Sequence, residues 1–416
     1  MASGSAPFAR ARTIGETQLI WMMALLMALQ AFGIDAILPA LDELAVSLSV
    51  DGNDRQFVVG VYLLAAGIGA LVPGALADRF GRRPVLLASI AVYIVLSLAS
   101  AMATTYASLI AIRAAQGFFG AGIVALPPAI IRDRVGGDKM ARMMSLIFVI
   151  FLMVPAIAPS IGELILLFAD WRAIFAAMAI QGVIIGTWVW FRLPESLSEE
   201  NRQPIRPRII AANMGRALSL PSVSGYVFGG AVVFGALFGF INSSQQLISE
   251  TFDAPELFPI AFGICAGSMA VASWSNSRIV ERFGARRVSH TALFVFIAVA
   301  AVQVWFAYQP DQELWQFVPL MAVNMMLLGF IGSNFGSIAM NPFFGIAGAA
   351  SSVHGFVRLT LAALLGAGIG YAYDGTAQPL ALSLLAGGLL SLALVLFSEK
   401  GKLFGPPEPE MGLGAS

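Results

Sequence analysis

Apolar runs, each long enough to cross a bilayer as a helix, recur along the whole sequence. A transmembrane helix needs about 20 predominantly apolar residues. Of the 416 residues, 58% are hydrophobic and only 12% are charged, whereas soluble domains carry about 25% charged residues. Lipid must therefore be the solvent for most of the chain. Twelve spans are predicted, at 17–40, 54–77, 84–104, 107–131, 141–168, 171–191, 222–247, 256–278, 288–308, 314–340, 346–373 and 377–398.

A polar segment separates these spans into two sets of six. Residues 192–221 are rich in Pro and Arg and are predicted to form a cytoplasmic linker. The linker divides an N-terminal bundle, 1–191, from a C-terminal bundle, 222–398, and residues 399–416 follow as a tail. The predicted fold class is an all-α membrane protein made of two pseudo-symmetric six-helix bundles.

A short repeat supports the two bundles. A shift of 203 residues places Asp-Arg-Phe-Gly at 78–81 on Glu-Arg-Phe-Gly at 281–284. Both tetrapeptides lie between the second and third span of their half. Parallel repeats of this kind are typical of one transporter class, in which the substrate site lies at mid-membrane between the halves.

The basic residues predict the orientation. All but four of the 24 Lys and Arg residues fall in the terminal segments and in every second loop. The exceptions are Arg55 and Arg172, on the opposite side, and Arg113 and Arg358, inside spans. Because cytoplasmic loops are enriched in Lys and Arg, both termini are expected in the cytoplasm.

Several function classes are excluded or unsupported. A net charge of zero gives no reason to expect nucleic-acid binding. A single cysteine, Cys265, excludes an internal disulfide and a cysteine-based metal cluster. The sequence contains no nucleophile elbow, phosphate-binding loop or metal-ligand cluster, so we expect neither an enzyme nor a metal site.

Residues 74–83, GALADRFGRR, resemble the signature loop of the major facilitator superfamily. Other segments resemble its drug/proton antiporter branch and, within it, the bicyclomycin- and chloramphenicol-resistance subgroup. They are DAILP at 35–39, RAAQG at 113–117, IRD at 131–133, PAIAPSIG at 155–162, WRAIF at 171–175 and PFFGIAGAASS at 342–352.

This resemblance implies a twelve-helix secondary transporter of a bacterial-type inner membrane that exports a small organic compound or drug in exchange for protons. The proton gradient would be the energy source, with no cofactor, and a monomer is expected. The chain departs from the subgroup at four positions. Ile34 stands before Asp35, where the subgroup has a polar residue, and Ile37 stands two residues after it, where the subgroup has Tyr. Glu163 stands where the subgroup has Gly, and Arg358 stands where it has Gln.

Placing an ionisable side chain inside a membrane span costs free energy, so such residues usually have a functional role. A proton-driven carrier needs a carboxylate whose protonation changes between its states. Asp35, on the first span, is the first candidate, both for the proton and for contact with substrate; the alternative is a residue that marks the outer interface. By resemblance Arg113 takes part in proton coupling, with Gln116 and Gly117 allowing close helix approach; the alternative is a structural strut. Glu163 is a third proton-coupling candidate, unless it reaches the outer interface.

His354 and Arg358 lie four residues apart on the eleventh span and therefore share a face. A cation there would suit an anionic or zwitterionic substrate, or would form a salt bridge with Asp35 or Glu163. Neutral polar and aromatic side chains are further candidates to contact substrate, although each could instead serve packing. They are Tyr62, Gln116, Phe234, Phe238, Asn242, Gln245, Asn324 and Asn334.

The signature loop and its repeat are predicted to gate the cytoplasmic side. Gly74 is expected to allow close helix approach and Gly81 a tight turn. Asp78 would lie near the N-terminus of the eleventh span, across the two halves, and Arg82 or Arg83 would pair with Asp133 when that side closes. The gating residues are Gly74, Asp78, Arg79, Gly81, Arg82, Arg83, Asp133, Glu281, Arg282 and Gly284.

The leading hypothesis is a proton-coupled exporter of a small organic compound. One alternative is a proton-linked transporter of an anionic or zwitterionic metabolite. Another is a receptor or scaffold of the same fold that transports nothing. The expected partners are a small-molecule substrate, protons and the lipid bilayer.

Overall fold

A computed structural model describes residues 14–135, 137–202 and 218–404, with positions 208, 212 and 215 between the last two ranges. Part of the predicted linker, 192–221, and most of the predicted tail, 399–416, therefore lie outside the described residues. In the first half the helices are α1 (Glu16–Asp35), α2 (Leu41–Leu48), α3 (Phe57–Gly69), α4 (Pro73–Phe80), α5 (Arg82–Ala101), α6 (Tyr106–Arg132), α7 (Gly137–Leu166) and α8 (Arg172–Arg192).

The second half repeats this helical pattern. Its helices are α9 (Pro221–Gln246), α10 (Phe258–Phe283), α11 (Ala285–Ala307), α12 (Leu314–Met340), α13 (Ala347–Tyr371) and α14 (Gln378–Ser398). Within the described ranges, ten helices are long and apolar enough to cross a membrane, and a bent pair makes eleven. The remaining predicted span coincides with α7, whose segment Met153–Leu166 is a shorter apolar helix. The expected all-α membrane fold is confirmed.

Proline residues break two of the predicted spans. The first predicted span was expected to run to residue 40, but α1 ends at Asp35 and a turn at Leu38–Ala40 leads into α2. Pro39 lies in that turn and cannot donate a backbone hydrogen bond. The second span bends by 45° between α3 and α4, where Pro73 begins α4.

The two halves meet along two pairs of helices. One pair is α3 with α13, and the other is α7 with α10. Glycines allow the close approach: a Cβ added at Gly67 would lie 2.9 Å from the backbone nitrogen of Thr360, and one at Gly263 would lie 3.1 Å from the Ala156 carbonyl oxygen. The pairs join the second and fifth spans of one half to the fifth and second of the other. A two-fold axis between the halves produces this arrangement, because it places the second span of each half against the fifth span of the other.

Candidate substrate and proton pathway

Arg113 joins three helices of the first half at a fully buried position. Its Nη2 donates to the Gly33 carbonyl of α1 at 2.9 Å, and its Nε donates to the Val58 carbonyl of α3 at 3.1 Å. Its Nη1 donates to Gln116 Oε1 at 2.7 Å, and its guanidinium lies 4.2 Å from the centre of the Tyr62 ring. These partners are carbonyls and a π face, so Arg113 is satisfied without a carboxylate. The geometry is that of a strut between α1, α3 and α6.

Gln116 and Gly117 continue this packing. Gln116 donates from Nε2 to Ser97 Oγ at 2.8 Å. A Cβ added at Gly117 would lie 2.2 Å from the Tyr62 carbonyl oxygen, so only glycine permits this approach of α6 to α3. The close approach predicted at this position is confirmed.

Replacing Arg113 with Lys tests the strut. Lysine keeps the charge but not the planar fork that reaches two carbonyls and an amide. We expect Arg113→Lys to lower the free energy of unfolding by about 2 kcal/mol or more, since each lost bond to a buried charged group is worth about 1.5–3 kcal/mol. Thermal unfolding of the purified protein measures the loss. Arg172→Lys, at the exposed outer end, is the control and should change little; an equal effect of both variants would contradict the strut.

Asp35 is the last residue of α1 and is only 3% exposed. Its Oδ1 has no hydrogen-bond partner, and it forms no ion pair, among the described residues. The adjoining backbone is tightly packed, since a Cβ added at Gly162 of α7 would lie 2.1 Å from the Ala36 carbonyl oxygen. Asp35 follows Gly33, whose carbonyl accepts from Arg113, by two residues, and it forms no ion pair with Arg113. Glu163, the residue after Gly162, is half-buried and forms no ion pair with any described residue.

Arg358 lies about midway along α13. Its side chain is half-buried, and its guanidinium carbon lies 5.2 Å from the centre of the Phe234 ring of α9. It forms no ion pair or hydrogen bond with any described residue. His354, one turn earlier, has its ring 5.6 Å from that of Phe343. Of the two arginines predicted inside spans, Arg113 has hydrogen-bond partners among the described residues and Arg358 has none there.

The neutral polar candidates are engaged within the protein. Asn324 donates to Gln303 Oε1 and Asn334 donates to Asn276 Oδ1, both at 2.7 Å, joining neighbouring helices of the second half. Asn242 donates to the Phe238 carbonyl of its own helix at 2.7 Å. Gln245 donates to Asp42 of the first half. Phe238 itself packs against Gly366, where a Cβ would lie 2.4 Å from the Phe238 Cβ.

Polar contacts join the two halves on the side that the basic residues predict to be the outer one. We name Asp42, Asn53, Arg55, Gln245 and Glu250 the outer seal. Arg55 forms ion pairs with Asp42 of the first half and with Glu250 of the second. Asn53 donates to the carbonyls of Tyr371, at 2.8 Å, and Tyr373, at 2.7 Å. This cluster was not predicted from the sequence, although Arg55 was one of two basic residues predicted on the outer side.

In the loop 74–83, which is predicted to be cytoplasmic, Arg82 forms its ion pairs inside the first half. Arg82, 4% exposed, pairs with Asp78 at 2.7 Å and with Asp133 at 3.0 Å. The predicted Arg82–Asp133 pair is present, whereas its dependence on closure of the cytoplasmic side stays a prediction. Asp78 contacts Arg82, and α4 packs on α5 and α6. A contact of Asp78 with α13 remains a prediction for a state closed on the cytoplasmic side.

The loop glycines have different roles. Gly81 has φ +100° and its repeat Gly284 has φ +80°, so both occupy backbone conformations that favour glycine. The expectation for Gly74 was wrong: a Cβ added there would have no atom within 4 Å, so this glycine mediates no close approach. The remaining arginines lie over aromatic rings. Arg79 lies over Phe80 and Arg83 over Trp190 in the first half, and Arg282, next to Glu281, lies over Phe283 in the second.

Glu195, which follows the sixth span, binds the backbone of the loop. This contact was not predicted from the sequence. Glu195 accepts from the backbone N–H groups of Arg82, at 2.9 Å, and Arg83, at 3.2 Å. It therefore caps the N-terminus of α5 from a distant part of the chain. Glu399, after the last span, pairs with Arg286 at 2.8 Å near the start of α11. The repeated placement of a Glu just past the sixth span of each half was the available signal.

We expect Asp78→Ala to shift the population towards the inward-open state and slow transport without changing which compounds bind. The reason is the predicted contact of Asp78 with α13, which would stabilise the state closed on the cytoplasmic side. Transport rates in vesicles and dissociation constants of the purified protein measure the two effects. Glu199→Ala, which removes an exposed carboxylate paired with Arg202 nearby, is the control. Altered selectivity in Asp78→Ala would contradict the expectation.

The family model described as "Major Facilitator Superfamily" matches residues 23–370. The chain belongs to the major facilitator superfamily. One relative in this superfamily is a "Bicyclomycin resistance protein homolog" of Haemophilus influenzae, 30% identical over 379 residues, which cover 91% of this chain and 95% of the relative. Another is "Multidrug resistance protein MdtL" of Escherichia coli, 30% identical over 392 residues, with 91% and 94% covered.

Solved structures of the superfamily share the fold. The human organic anion transporter MFSD10 (TETRAN) superposes with a TM-score of 0.66 at 16% identity, covering 93% of this chain and all of that one. A partially occluded inward-open conformation of the xylose transporter XylE from E. coli gives 0.67 at 13% identity, covering 92% and 99%. The chain is therefore a multi-pass membrane transporter of small molecules and not an enzyme, and its resemblance to the bicyclomycin-resistance subgroup is confirmed.

Proposed function

We propose that this protein exports a small organic compound or drug by proton-coupled alternating access. It would act as a monomer in a bacterial-type inner membrane with both termini in the cytoplasm, and the proton gradient would supply the energy without a cofactor. The names of the relatives, a bicyclomycin resistance homolog and a multidrug resistance protein, support the class of cargo. The observation that carries the proton coupling is Asp35, a buried carboxylate without an ion-pair partner among the described residues.

The position of Asp35 supports this role. It ends α1 directly before the turn that leads to α2, and Asp42 of α2 belongs to the outer seal. Opening the outer seal would move α2 and so change how water reaches Asp35. A carboxylate whose solvation differs between two states binds its proton with different affinity in each, which is what coupling requires.

The pairing of charges supports alternating access. Arg55 and Gln245 link the two halves on the outer side, whereas Arg82 pairs with Asp78 and Asp133 of its own half on the cytoplasmic side. A carrier of this kind would cross to its outward-facing state by breaking the outer seal and forming contacts between the halves at the cytoplasmic loops.

Substrate-induced proton release tests the proposal. Purified protein in weakly buffered detergent is mixed with chloramphenicol as a neutral probe, ethidium as a cationic probe and 2-naphthoate as an anionic probe, and a pH dye records the released protons. Antiport predicts release with any probe that binds, and Asp35→Asn should abolish it. Binding of a probe without linked proton movement would contradict the proposal.

A second candidate function is a proton-linked transporter of an anionic or zwitterionic metabolite. Arg358 favours it, because a cation midway along α13 has no acidic partner among the described residues. The two candidates share the mechanism and differ in the charge of the cargo.

A further inference from the structure

Arg358 has a charge that the described part of the protein does not neutralise. A guanidinium remains protonated at every physiological pH. Arg113 donates three hydrogen bonds, whereas the one contact of the Arg358 guanidinium with a described residue is the ring of Phe234, at 5.2 Å. A cation at membrane depth is normally paired or lines an aqueous cavity. Arg358 is half-buried, so part of its side chain remains exposed at the surface of the described protein.

The Phe234 ring, which lies next to Arg358, also packs against a second helix. Phe234 of α9 packs against Gly332 of α12, where an added Cβ would lie 2.5 Å from Phe234 Cε2. Helices α9, α12 and α13 thus meet at one guanidinium and one fixed aromatic ring. Such a pair presents a cation for an acidic group and an apolar face for a hydrocarbon or aromatic body.

We infer that Arg358 binds the acidic group of a small amphiphilic organic anion whose apolar part lies against Phe234. This inference rests on the proposed transport function and names the charge of its cargo. A planar carboxylate suits the site because it accepts two parallel hydrogen bonds from a guanidinium. In each transport cycle the bound anion would neutralise the positive charge of Arg358, which no described residue neutralises.

The acidic oxygens could also come from the head group of an anionic lipid, so the test separates the two sources. Binding of 2-naphthoate and of its neutral isostere 2-naphthamide is measured by quenching of tryptophan fluorescence in phosphatidylcholine nanodiscs, and again with added phosphatidylglycerol. The wild-type protein should bind the carboxylate on the order of tenfold more tightly than the amide, because hydrogen bonds between charged groups are stronger than neutral ones.

Two variants make the test specific. In Arg358→Gln the preference for carboxylate over amide should disappear, because 2-naphthoate loses a charge-assisted hydrogen bond that neutral 2-naphthamide never forms. In Arg358→Lys part of the preference should survive, since the charge remains but the bidentate geometry is lost. An equal preference in wild type and Arg358→Gln, or no preference in the wild type, would overturn the inference. Competition by phosphatidylglycerol that disappears in Arg358→Gln, with no effect of Arg358 on 2-naphthoate, would assign the site to lipid and also overturn it.

A pH dye in the same samples keeps this result distinct from the proposed function. Binding of 2-naphthoate that depends on Arg358 but releases no proton would leave the anion site standing and contradict proton antiport. Proton release by chloramphenicol that is equal in wild type and Arg358→Gln, without any preference for 2-naphthoate, would support antiport and overturn the anion site.

Discussion

Asp35→Asn is expected to abolish uphill transport while leaving downhill exchange intact. Asparagine has nearly the shape of aspartic acid but cannot take up and release a proton. A carrier with no proton to exchange still binds its cargo and alternates, but it cannot use the gradient. We expect accumulation against a concentration gradient to fall by more than about tenfold, since loss of coupling removes the driving force, which at 100 mV is worth about 2.3 kcal/mol per charge.

Reconstituted vesicles measure both activities. Uphill accumulation is followed with an imposed pH gradient, and exchange of labelled for unlabelled substrate is followed without one. Asp170→Asn is the matched control, because Asp170 is an exposed outer carboxylate that pairs with Arg172. Uphill transport by Asp35→Asn with an unchanged dependence on pH would remove Asp35 from the mechanism, whatever the control does.

The architecture was predictable because it depends on local composition. Apolar runs, the polar segment at 192–221 and the repeat of 78–81 at 281–284 are visible in the sequence without any contact information. The breaks at Pro39 and Pro73 are also local, yet their effect on the span boundaries depends on which backbone groups find other partners. The first span was expected to run to residue 40, whereas α1 ends at Asp35 and the apolar span continues through α2 to Leu48.

The site was predictable only as a set of ionisable residues. Membrane depth alone singled out Asp35, Arg113 and Arg358. Which of these residues has hydrogen-bond partners inside the protein depends on backbone carbonyls. Because every residue type has a carbonyl, the sequence does not show where such partners lie. Arg113 bonds to the carbonyls of Gly33 and Val58, so no side-chain pattern could reveal its partners.

The contacts missed by sequence reasoning join distant parts of the chain. Glu195 caps α5 from beyond the sixth span, and Arg55 pairs with Glu250 of the other half. Both glutamates lie in polar stretches where a solvated side chain is the ordinary expectation. Their roles follow from the packing of the halves, which the spacing of charges does not encode.

Arg55→Ala is expected to open the outer side. Arg55 is the one described residue that forms ion pairs with carboxylates of both halves, Asp42 and Glu250. Exposed ion pairs contribute about 0.2–1 kcal/mol each, so losing two should shift the ratio of outward-open to inward-open protein by about two- to thirtyfold. Since Asp42 and Glu250 would then face each other without a cation, their repulsion acts in the same direction.

Distances between spin labels across the outer side measure this shift. Labels are attached through Val46→Cys in α2 and Glu256→Cys in the second half, both exposed positions, in a Cys265→Ser background. The population with a long distance should grow in Arg55→Ala. Arg172→Ala is the matched control, because this second outer arginine contacts Asp170, Ser47 and the Ala103 carbonyl, all in the first half. If both variants changed the distances equally, the effect would come from lost surface charge and not from a link between the halves. If neither did, the seal would rest on the hydrogen bonds of Asn53 and Gln245, which remain in both variants and would then hold the outer side closed by themselves.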